Sequence, residues 1–491
     1  MGRMLSFVAA DLGAESGRVM VGGLDGERLS LSEAHRFDSR PVRLPDGLHT
    51  DVLRILSEIQ HGLAAAARQG ELAGVGVDTW GVDFALLDEG SVLLGLPYHY
   101  RDAIGGSVME SAFELVPRAE IFGATGIQLL EINTLFQLLR LRMRGSAALG
   151  AARRLLMMPD LFSFWLSGRA ANEYTIATTS QCLDVASGRW ASGLLERFSL
   201  PTGIFGEVVP AGTVLGPLLP QVAEEAGLPR LPVVAVGGHD TALAVAAVPA
   251  SADGFAYVSS GTWSLLGAEI PSPRVGEGSR SANFTNEGGV CGTIRFLKNL
   301  CGLWLVQECR RHWGRKGEAD SYDRLTALAA AAPPFRSLVD VDDAAFAAPG
   351  DMPARIQAYC RDTGQPVPEG KGEIVRAALD SLALKYRYVL RQAEQILEGR
   401  LSPLHVVGGG SRNRLLCQLA ADATGLPVVA GPVEATAAGN VLMQAMALGH
   451  LGSLAEARDL VRRSFEIATY DPRPSPAVED AYGRLLGLVR R

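Results

Sequence analysis

One plan occurs in both halves of the sequence: an apolar segment, a turn of small residues, and a second apolar segment. The first half contains LSFVAADLGAESGRVMVGGL, which begins at Leu5, and the second contains FAYVSSGTWSLLGAEI, which begins at Phe255. Apolar runs joined by small-residue turns are typical of strands that reverse direction. Because the amino-acid sequences of the two segments do not match, what repeats is the order of the structural elements. It predicts two lobes, each of which opens with a pair of strands.

Helical segments alternate with these strands. Residues 50–70, TDVLRILSEIQHGLAAAARQG, have apolar spacing near 3.6, and we expect Gly70 to cap that helix. Residues 147–168 read as a helix pair broken at Pro159. Strands that alternate with helices indicate the α/β class. A chain of 491 residues is too long for one core, so we expect two domains, residues 1–246 and 247–491.

The composition excludes several classes of protein. Hydrophobic residues make up 47% and charged residues 20%, which is ordinary for a globular chain, and the net charge of −7 argues against nucleic-acid or anionic-membrane partners. The start has no signal-peptide pattern and no segment of about 20 residues is continuously apolar, so we expect a cytoplasmic protein. The six cysteines form no CxxC pair, which argues against a zinc site.

Four turns rich in small residues could bind phosphate through their backbone N–H groups. They lie at residues 11–18, 237–241, 259–262 and 408–413. None of them is a GxxxxGK[ST] or GxGxxG loop. A purely structural role is the alternative for any single turn. Four such turns, two of them at matching places in the two halves, favour binding of a nucleotide.

Four acidic residues end predicted strands: Asp11, Asp78, Asp83 and Asp240. A carboxylate in such a place can help to hold Mg²⁺ or can take a proton from a hydroxyl group. Capping of a turn or helix is the alternative, and for Asp78 and Asp83 the two interpretations stay open. No HExxH or GxSxG pattern occurs, which argues against a zinc or serine hydrolase.

The ordered set of motifs resembles the FGGY family of carbohydrate kinases over nearly the whole chain. The motifs are DLGAESGRVM, GVDTWGVDFALLD, YRD, GIQLLEINTLFQL, NEYTIATTSQ, GGHDTALAV, SSGTWSLLG, NFTNEGG, RFLKNLCGLWLVQECRR and VVGGGSRNRLLCQLAADATGLPVVAGP. DTWGVD and NLCGLWLVQECRR are most similar to the rhamnulokinase branch. The resemblance implies a two-domain actin/hexokinase-like fold, with ATP and a sugar in the cleft between the domains and Mg²⁺ as the metal.

The resemblance also implies a role for particular residues. Asp240 would be the catalytic base, and Asp11 would help to place Mg²⁺ through water. The residues implied in ATP binding are Ala14, Glu15, Ser16, Gly17, Arg18, Thr262, Gln307 and Gly409. The residues implied in binding of the small-molecule sugar are Gly81, His239, Asp240, Thr241 and Asn299.

Two points stay open from the sequence. Glu15 departs from the small polar residue common in the branch, and an acid beside ATP phosphates would repel them unless it faced Mg²⁺ or solvent. The sugar is also not fixed by motifs. L-rhamnulose, phosphorylated at its 1-hydroxyl, is the favoured substrate, and L-fuculose, L-ribulose and xylulose are the alternatives. A nucleotide binder of the actin fold without kinase activity is a further alternative, although it would not need Asp240.

Overall fold

The computed structural model describes residues 4–102 and 106–489. Its strands are β1 (Leu5–Leu12), β2 (Ser16–Leu24), β3 (Leu29–Asp38), β4 (Val42–Leu44), β5 (Gly47–His49), β6 (Leu72–Thr79), β7 (Phe84–Leu87), β8 (Arg154–Met157), β9 (Asn172–Glu173), β10 (Leu183–Asp184), β11 (Arg189–Trp190), β12 (Val208–Val209), β13 (Thr213–Pro217), β14 (Pro232–Ala235), β15 (Ala256–Ser260), β16 (Trp263–Ile270), β17 (Thr285–Gly288), β18 (Ile294–Cys301), β19 (Leu404–Val407), β20 (Val428–Ala430) and β21 (Ala468–Tyr470).

The helices of the same residues are α1 (Val52–Ala67), α2 (Gly106–Leu115), α3 (Arg118–Thr125), α4 (Thr134–Met143), α5 (Ala147–Ala151), α6 (Met158–Ser167), α7 (Tyr174–Thr179), α8 (Ser192–Arg197), α9 (Pro220–Ala226), α10 (Asp240–Ala246), α11 (Glu277–Ser281), α12 (Trp304–Arg315), α13 (Tyr322–Ala331), α14 (Met352–Asp362), α15 (Lys371–Leu397), α16 (Arg414–Thr424), α17 (Ala435–Ala447), α18 (Leu454–Ser464) and α19 (Pro476–Leu488). Among the helices of residues 4–102 and 106–489, none is long and apolar enough to cross a lipid bilayer.

The chain forms two compact units, each assembled from separated segments. Unit 1 comprises Met1–Ala247, Glu269–Phe296 and Ala435–Ser464, and unit 2 comprises Val248–Ala268, Leu297–Glu434 and Phe465–Arg491. The simple division into residues 1–246 and 247–491 stays a prediction.

Unit 1 is built on a six-stranded sheet with the order β13-β14-β6-β1-β2-β3. Strands β1, β2 and β3 form the predicted antiparallel meander, and β1, β6 and β14 run parallel. Glycines let helices pack closely on this sheet. A Cβ at Gly62 of α1 would lie 2.2 Å from Val19 Cγ2, and one at Gly22 of β2 would lie 2.4 Å from Val441 Cγ2 of α17. These contacts pack α1 and α17 tightly against β2.

In unit 2, six strands that lie wholly or partly in the unit have the order β18-β16-β15-β19-β20-β21. Strands β15 and β16 form the predicted hairpin, and β15, β19 and β20 run parallel. The predicted succession of strand, glycine loop, helix and strand is confirmed by β19, the turn at Gly409–Arg412, α16 and β20. The 27-residue helix α15 packs against α13 and α16.

Two local predictions were wrong. Helix α1 ends at Ala67 with Arg68 as its C-cap, so Gly70 lies in the turn beyond the helix. The expected helix pair at residues 147–168 is helix α5, strand β8 and helix α6. Strand β8 pairs with β7, and this tertiary pairing overrides the helical pattern of its residues. Pro159 lies in the first turn of α6, where its missing N–H leaves no helical hydrogen bond unmade.

Candidate active site

Three carboxylates come together at the carboxyl ends of neighbouring strands in unit 1. The parallel register of β1 and β6 places Asp11 opposite Asp78. At the end of β6, its last residue, Thr79, forms an isolated parallel bridge with His239, the residue before Asp240. Carboxyl ends of parallel strands are where α/β folds bind their ligands. The structure therefore brings together the candidates for metal placement and for catalysis.

Asp78 is fully buried within this cluster. Its Oδ2 accepts a hydrogen bond from Asn440 Nδ2 of α17 at 2.7 Å. Burial raises the pKa of Asp78 well above its ordinary value, and the charges of Asp11 and Asp240 raise it further, while the bond from Asn440 opposes the rise. Asp78 thus belongs to the site, a role that the sequence left open.

Asp240 is the most accessible of the three acids, with a side chain 33% exposed. It is the first residue of α10, and its Oδ1 accepts hydrogen bonds from the N–H of Thr241 at 2.5 Å and from the hydroxyl of Thr241 at 3.1 Å. Asp240 can therefore accept a proton from a bound hydroxyl group.

The first small-residue turn joins β1 to β2. The N–H of Gly13 donates to the carbonyl of Ser16 at 3.1 Å and so holds the two sides of the turn together. Arg18 lies opposite Asp11 in the register of β1 and β2. Its Nη2 forms an ion pair with Asp11 Oδ2 at 2.5 Å. Ala14 is partly buried and Ser16 is exposed. A Cβ on Gly17 would lie 2.3 Å from the ring of Phe37, so this glycine is required by packing.

The structure gives Glu15 a partner. Its Oε1 accepts a hydrogen bond from Arg101 Nη1 at 3.0 Å, and Arg101 Nε also donates to the hydroxyl of Tyr100 at 3.1 Å. Both members of the ion pair are about 30% exposed, at 32% for Glu15 and 27% for Arg101. The cation of Arg101 offsets the negative charge that Glu15 adds to the turn. The sequence did not predict this ion pair, because the two residues are 86 positions apart.

His239 lies in a chain of charged groups that the sequence did not reveal. Its Nε2 is 3.4 Å from Asp240 Oδ1, and its Nδ1 contacts Arg295 Nη2 at 3.1 Å and Glu287 Oε2 at 3.2 Å. Arg295 is fully buried, lies 3.1 Å from Glu287 Oε2, and donates to the carbonyl of Gly288 at 2.8 Å. His239 Nδ1 thus faces both a donor, Arg295, and an acceptor, Glu287, while Nε2 lies on the side of Asp240.

Asp83 has a structural role. Its Oδ2 accepts from Trp80 Nε1 at 2.8 Å and from the N–H of Tyr100 at 3.2 Å, and its Oδ1 accepts from Gln137 Nε2 at 3.3 Å. Burial raises the pKa of Asp83 to about 7, against the effect of these donors. The network fixes the turn that contains Gly81, where a Cβ would lie 3.3 Å from Thr179.

In unit 2, two of the residues implied in ATP binding are in contact. Thr262 Oγ1 donates to Gln307 Oε1 of α12 at 2.9 Å. The turn before Thr262 packs on the glycine loop after β19, where a Cβ on Gly410 would lie 2.0 Å from Ser260 Oγ. Gly409 has open space beside it. Asn299 lies on β18 and is partly exposed.

Comparison with known proteins identifies the family of this chain. Residues 7–247 match the N-terminal domain of the FGGY family of carbohydrate kinases, and residues 256–448 match its C-terminal domain. The rhamnulokinase of Bacteroides thetaiotaomicron is 46% identical over 486 residues, 99% of both chains. The rhamnulokinase of Klebsiella pneumoniae is 42% identical over 476 residues, 96% of this chain and 95% of its own.

Solved structures show the same fold. A ligand-bound xylulose kinase from Lactobacillus acidophilus has a TM-score of 0.78 at 16% identity and covers 99% of this chain and 96% of its own. Plasmodium falciparum glycerol kinase with ADP has a TM-score of 0.78 at 14% identity and covers 100% of this chain and 98% of its own. The predicted α/β, two-domain actin/hexokinase-like fold is confirmed.

The fold and the matched domains define the chain as a sugar kinase of this two-domain class. It belongs to the FGGY family of carbohydrate kinases. The predicted family and the predicted enzyme class are thereby confirmed.

Proposed function

We propose that this enzyme transfers the γ-phosphoryl group of ATP to L-rhamnulose and forms L-rhamnulose 1-phosphate, as a step of rhamnose catabolism in the cytoplasm. The observation that carries the proposal is the group of proteins named rhamnulokinase that are 38–46% identical over nearly the whole chain. The alternative ketoses have no comparable support.

In the proposed mechanism, Asp240 accepts the proton of the sugar's 1-hydroxyl group as that oxygen attacks the γ-phosphorus. The bond between the γ-phosphorus and the bridging oxygen breaks, and ADP leaves with the electron pair. Phosphoryl transfer of this kind depends mostly on positioning and charge neutralisation. Asp240 suits the task because it is accessible and its carboxylate is held by the two donors of Thr241.

The sugar-binding role is proposed for Gly81, His239, Thr241 and Asn299. His239 Nε2 lies 3.4 Å from Asp240 Oδ1, where it can meet a sugar oxygen, and the absence of a side chain at Gly81 leaves room beside Thr179. Hydrogen bonds to sugar hydroxyl groups give strong selectivity, because an unpaired buried donor is unfavourable.

The ATP-binding role is proposed for the turn of residues 14–18 and for Thr262, Gln307 and Gly409. The open space beside Gly409 allows a nucleotide to approach the backbone. The Thr262 hydroxyl donates to Gln307 in this structure and would exchange that partner for a phosphate oxygen when ATP binds.

The residues of unit 1 fit Mg²⁺ bound through water and phosphate. Within the part of the chain that the structure describes, no group of three or more His, Cys, Asp or Glu residues is arranged to hold a metal ion by itself. Burial is the largest cause of the raised pKa of Asp78, and the nearby carboxylates of Asp11 and Asp240 raise it further, so a cation beside this cluster would be favourable. We propose that Asp11 holds the hydrated ion through water. When bound, Mg²⁺ neutralises charge on the transferred phosphate.

The test is ADP release with Mg-ATP across a set of sugars: L-rhamnulose, L-fuculose, L-ribulose and D-xylulose, with gluconate and glycerol as distant controls. We expect kcat/KM for L-rhamnulose to exceed that for every other sugar at least tenfold. A preference for another ketose would contradict the substrate and retain the mechanism. If folded protein binds ATP but no sugar stimulates ADP release, the kinase proposal is wrong and the nucleotide-binder alternative replaces it.

A further inference from the structure

Glu173 is a buried carboxylate behind the Asp240 turn, and the mechanism above does not use it. It ends β9 and is the N-cap of α7. Its Oε1 accepts a hydrogen bond from the N–H of Thr175 at 2.9 Å. Its Oε2 accepts three: from the hydroxyl of Thr175 at 2.6 Å, from the N–H of Ile176 at 3.1 Å and from the N–H of Gly238 at 2.7 Å. One side chain thus ties the start of α7 to the segment that leads into Asp240.

All four of these partners are hydrogen-bond donors, so the site requires a group that only accepts. An ionised carboxylate meets this requirement, whereas a neutral acid or an amide would place a donor against a donor. Burial raises the pKa of Glu173, and the hydrogen bonds from Thr175, Gly238 and Ile176 oppose that rise.

Thr175 extends the connection by one residue. Its hydroxyl donates to Glu173 and accepts a hydrogen bond from the N–H of His239 at 3.3 Å. The carbonyl of Gly238 accepts from the N–H of Thr79, next to Asp78, at 2.9 Å. The backbone of Gly238 is therefore held on both sides, between the start of α7 and the end of β6.

The close approach at this point requires a glycine. A Cβ at position 238 would lie 2.8 Å from both Ile176 Cγ2 and Pro159 Cγ. Any larger residue would push the segment away from Glu173, and the carboxylate would lose its shortest backbone donor. Gly238, the residue before His239, thus allows the chain to pack closely against Ile176 and Pro159.

We propose that Glu173, acting with Thr175, is the positioning residue that fixes Asp240 and His239 relative to the sugar. The inference rests on the proposed function, because it assigns Glu173 a part in that reaction without contact with either substrate. A displacement of a catalytic group by about 1 Å can lower a rate about 100-fold. Glu173 accepts a hydrogen bond from the N–H of Gly238, and Thr175 accepts one from the N–H of His239. These two hydrogen bonds prevent such a displacement.

The first test compares Glu173→Gln with the wild type and with Glu224→Gln, a matched change on an exposed position of α9. The wild type is assayed first with the sugar set, so that a failure of the proposed function is seen separately. For Glu173→Gln we expect kcat to fall at least about tenfold while the Kd for Mg-ATP stays within twofold. Wild-type kcat in a folded Glu173→Gln enzyme would overturn the inference.

A second pair of variants tests the positioning role if Glu173→Gln does not fold. Thr175→Val removes the hydroxyl that links Glu173 to His239, whereas Thr175→Ser retains it. We expect Thr175→Val to lose at least about fivefold in kcat and Thr175→Ser to retain more than half, with equal unfolding temperatures within a few degrees. Equal kcat for the two variants would overturn the inference, because a general structural role does not depend on the hydroxyl.

Discussion

The site residues of the two units differ in charge and in the way they are held. In unit 1, Asp11, Asp78 and Asp240 form a cluster of carboxylates at the ends of parallel strands. In unit 2, Thr262 and Gln307 are neutral, and the backbone of the adjoining glycine loop is accessible to a ligand at Gly409. Carboxylates can take a proton or attract a cation but repel phosphate, whereas hydroxyl and backbone N–H groups accommodate phosphate. We propose that unit 1 supplies the acid–base and metal chemistry together with the phosphate turn of residues 14–18, and that unit 2 supplies neutral contacts to the nucleotide.

The largest expected effect comes from Asp240→Asn. This change keeps the size of the side chain and removes its ability to take a proton, so we expect kcat to fall about 1000-fold. Steady-state ADP release with the preferred ketose measures the effect. Asp253→Asn, a change at an exposed position, is the control and should leave kcat unchanged. A loss of less than tenfold would mean that the carboxylates of unit 1 do not perform the proton transfer.

The next effect concerns the glycine loop of unit 2. In Gly410→Ala, the new methyl group would meet Ser260 Oγ and force the two turns apart. Overpacking of this kind costs about 1–3 kcal/mol, so we expect KM for ATP to rise about tenfold or more. Gly314→Ala is the control, since nothing lies within 4 Å of its Cβ position.

A double variant sharpens this prediction. Adding Ser260→Ala removes the oxygen nearest to the new methyl group and should recover part of the loss in KM. If the single variant keeps the wild-type KM for ATP, the packing of these two turns has no part in nucleotide binding.

Thr262→Val is expected to have a smaller effect. It removes one hydroxyl group from the neutral site, and a single hydrogen bond contributes about 0.5–1.5 kcal/mol, so KM for ATP should rise about fivefold. Thr262→Ser retains the hydroxyl and should remain near the wild type. Kinetic titration of ATP at saturating sugar measures both variants. A selective rise in the sugar KM instead would move Thr262 to the sugar site.

The last prediction concerns stability rather than kinetics, namely the pH dependence of stability in unit 1. The folded state keeps the proton of Asp83 up to a pKa of about 7, whereas an ordinary aspartate releases it near 3.8. The unfolded state therefore binds fewer protons between these values, and Asp83 lowers stability as pH rises through that range, by at most about 1.4 kcal/mol per pH unit. Below and above this range its contribution is constant.

Asp83→Asn should remove this contribution, because the amide does not ionise. Chemical denaturation of the variant and the wild type at pH 5, 6, 7 and 8 measures the slope, with Asp253→Asn as the control. We expect the free energy of unfolding of Asp83→Asn to fall less than that of the wild type between pH 5 and 7. Parallel curves for the two proteins would show that Asp83 is ionised throughout that range.

The sequence predicted the features that depend on neighbouring residues. The hairpins β1–β2 and β15–β16 and the loop between β19 and α16 follow from local apolar runs and small residues. The contacts that complete the site join distant positions. Asn440 binds Asp78 across 362 residues, and Glu173 binds Gly238 across 65. No local pattern encodes such pairings, because they arise from strand order and helix packing.

The same limit explains why the roles of Asp78 and Asp83 stayed open from the sequence. Asp78 and Asp83 look alike in DTWGVD, but the structure places Asp78 beside Asp11 and surrounds Asp83 with the donors of Trp80, Tyr100 and Gln137. Their different roles follow from what each carboxylate meets in the fold.

Equilibrium binding of Mg-ATP and of the preferred ketose to Asp240→Asn and Thr262→Val, measured by titration calorimetry, tests the division between the two units most directly. We predict that folded Asp240→Asn binds Mg-ATP and the ketose within about threefold of the wild type, and that Thr262→Val loses affinity for Mg-ATP alone. Loss of Mg-ATP binding in Asp240→Asn, or loss of ketose binding alone in Thr262→Val, would contradict the account.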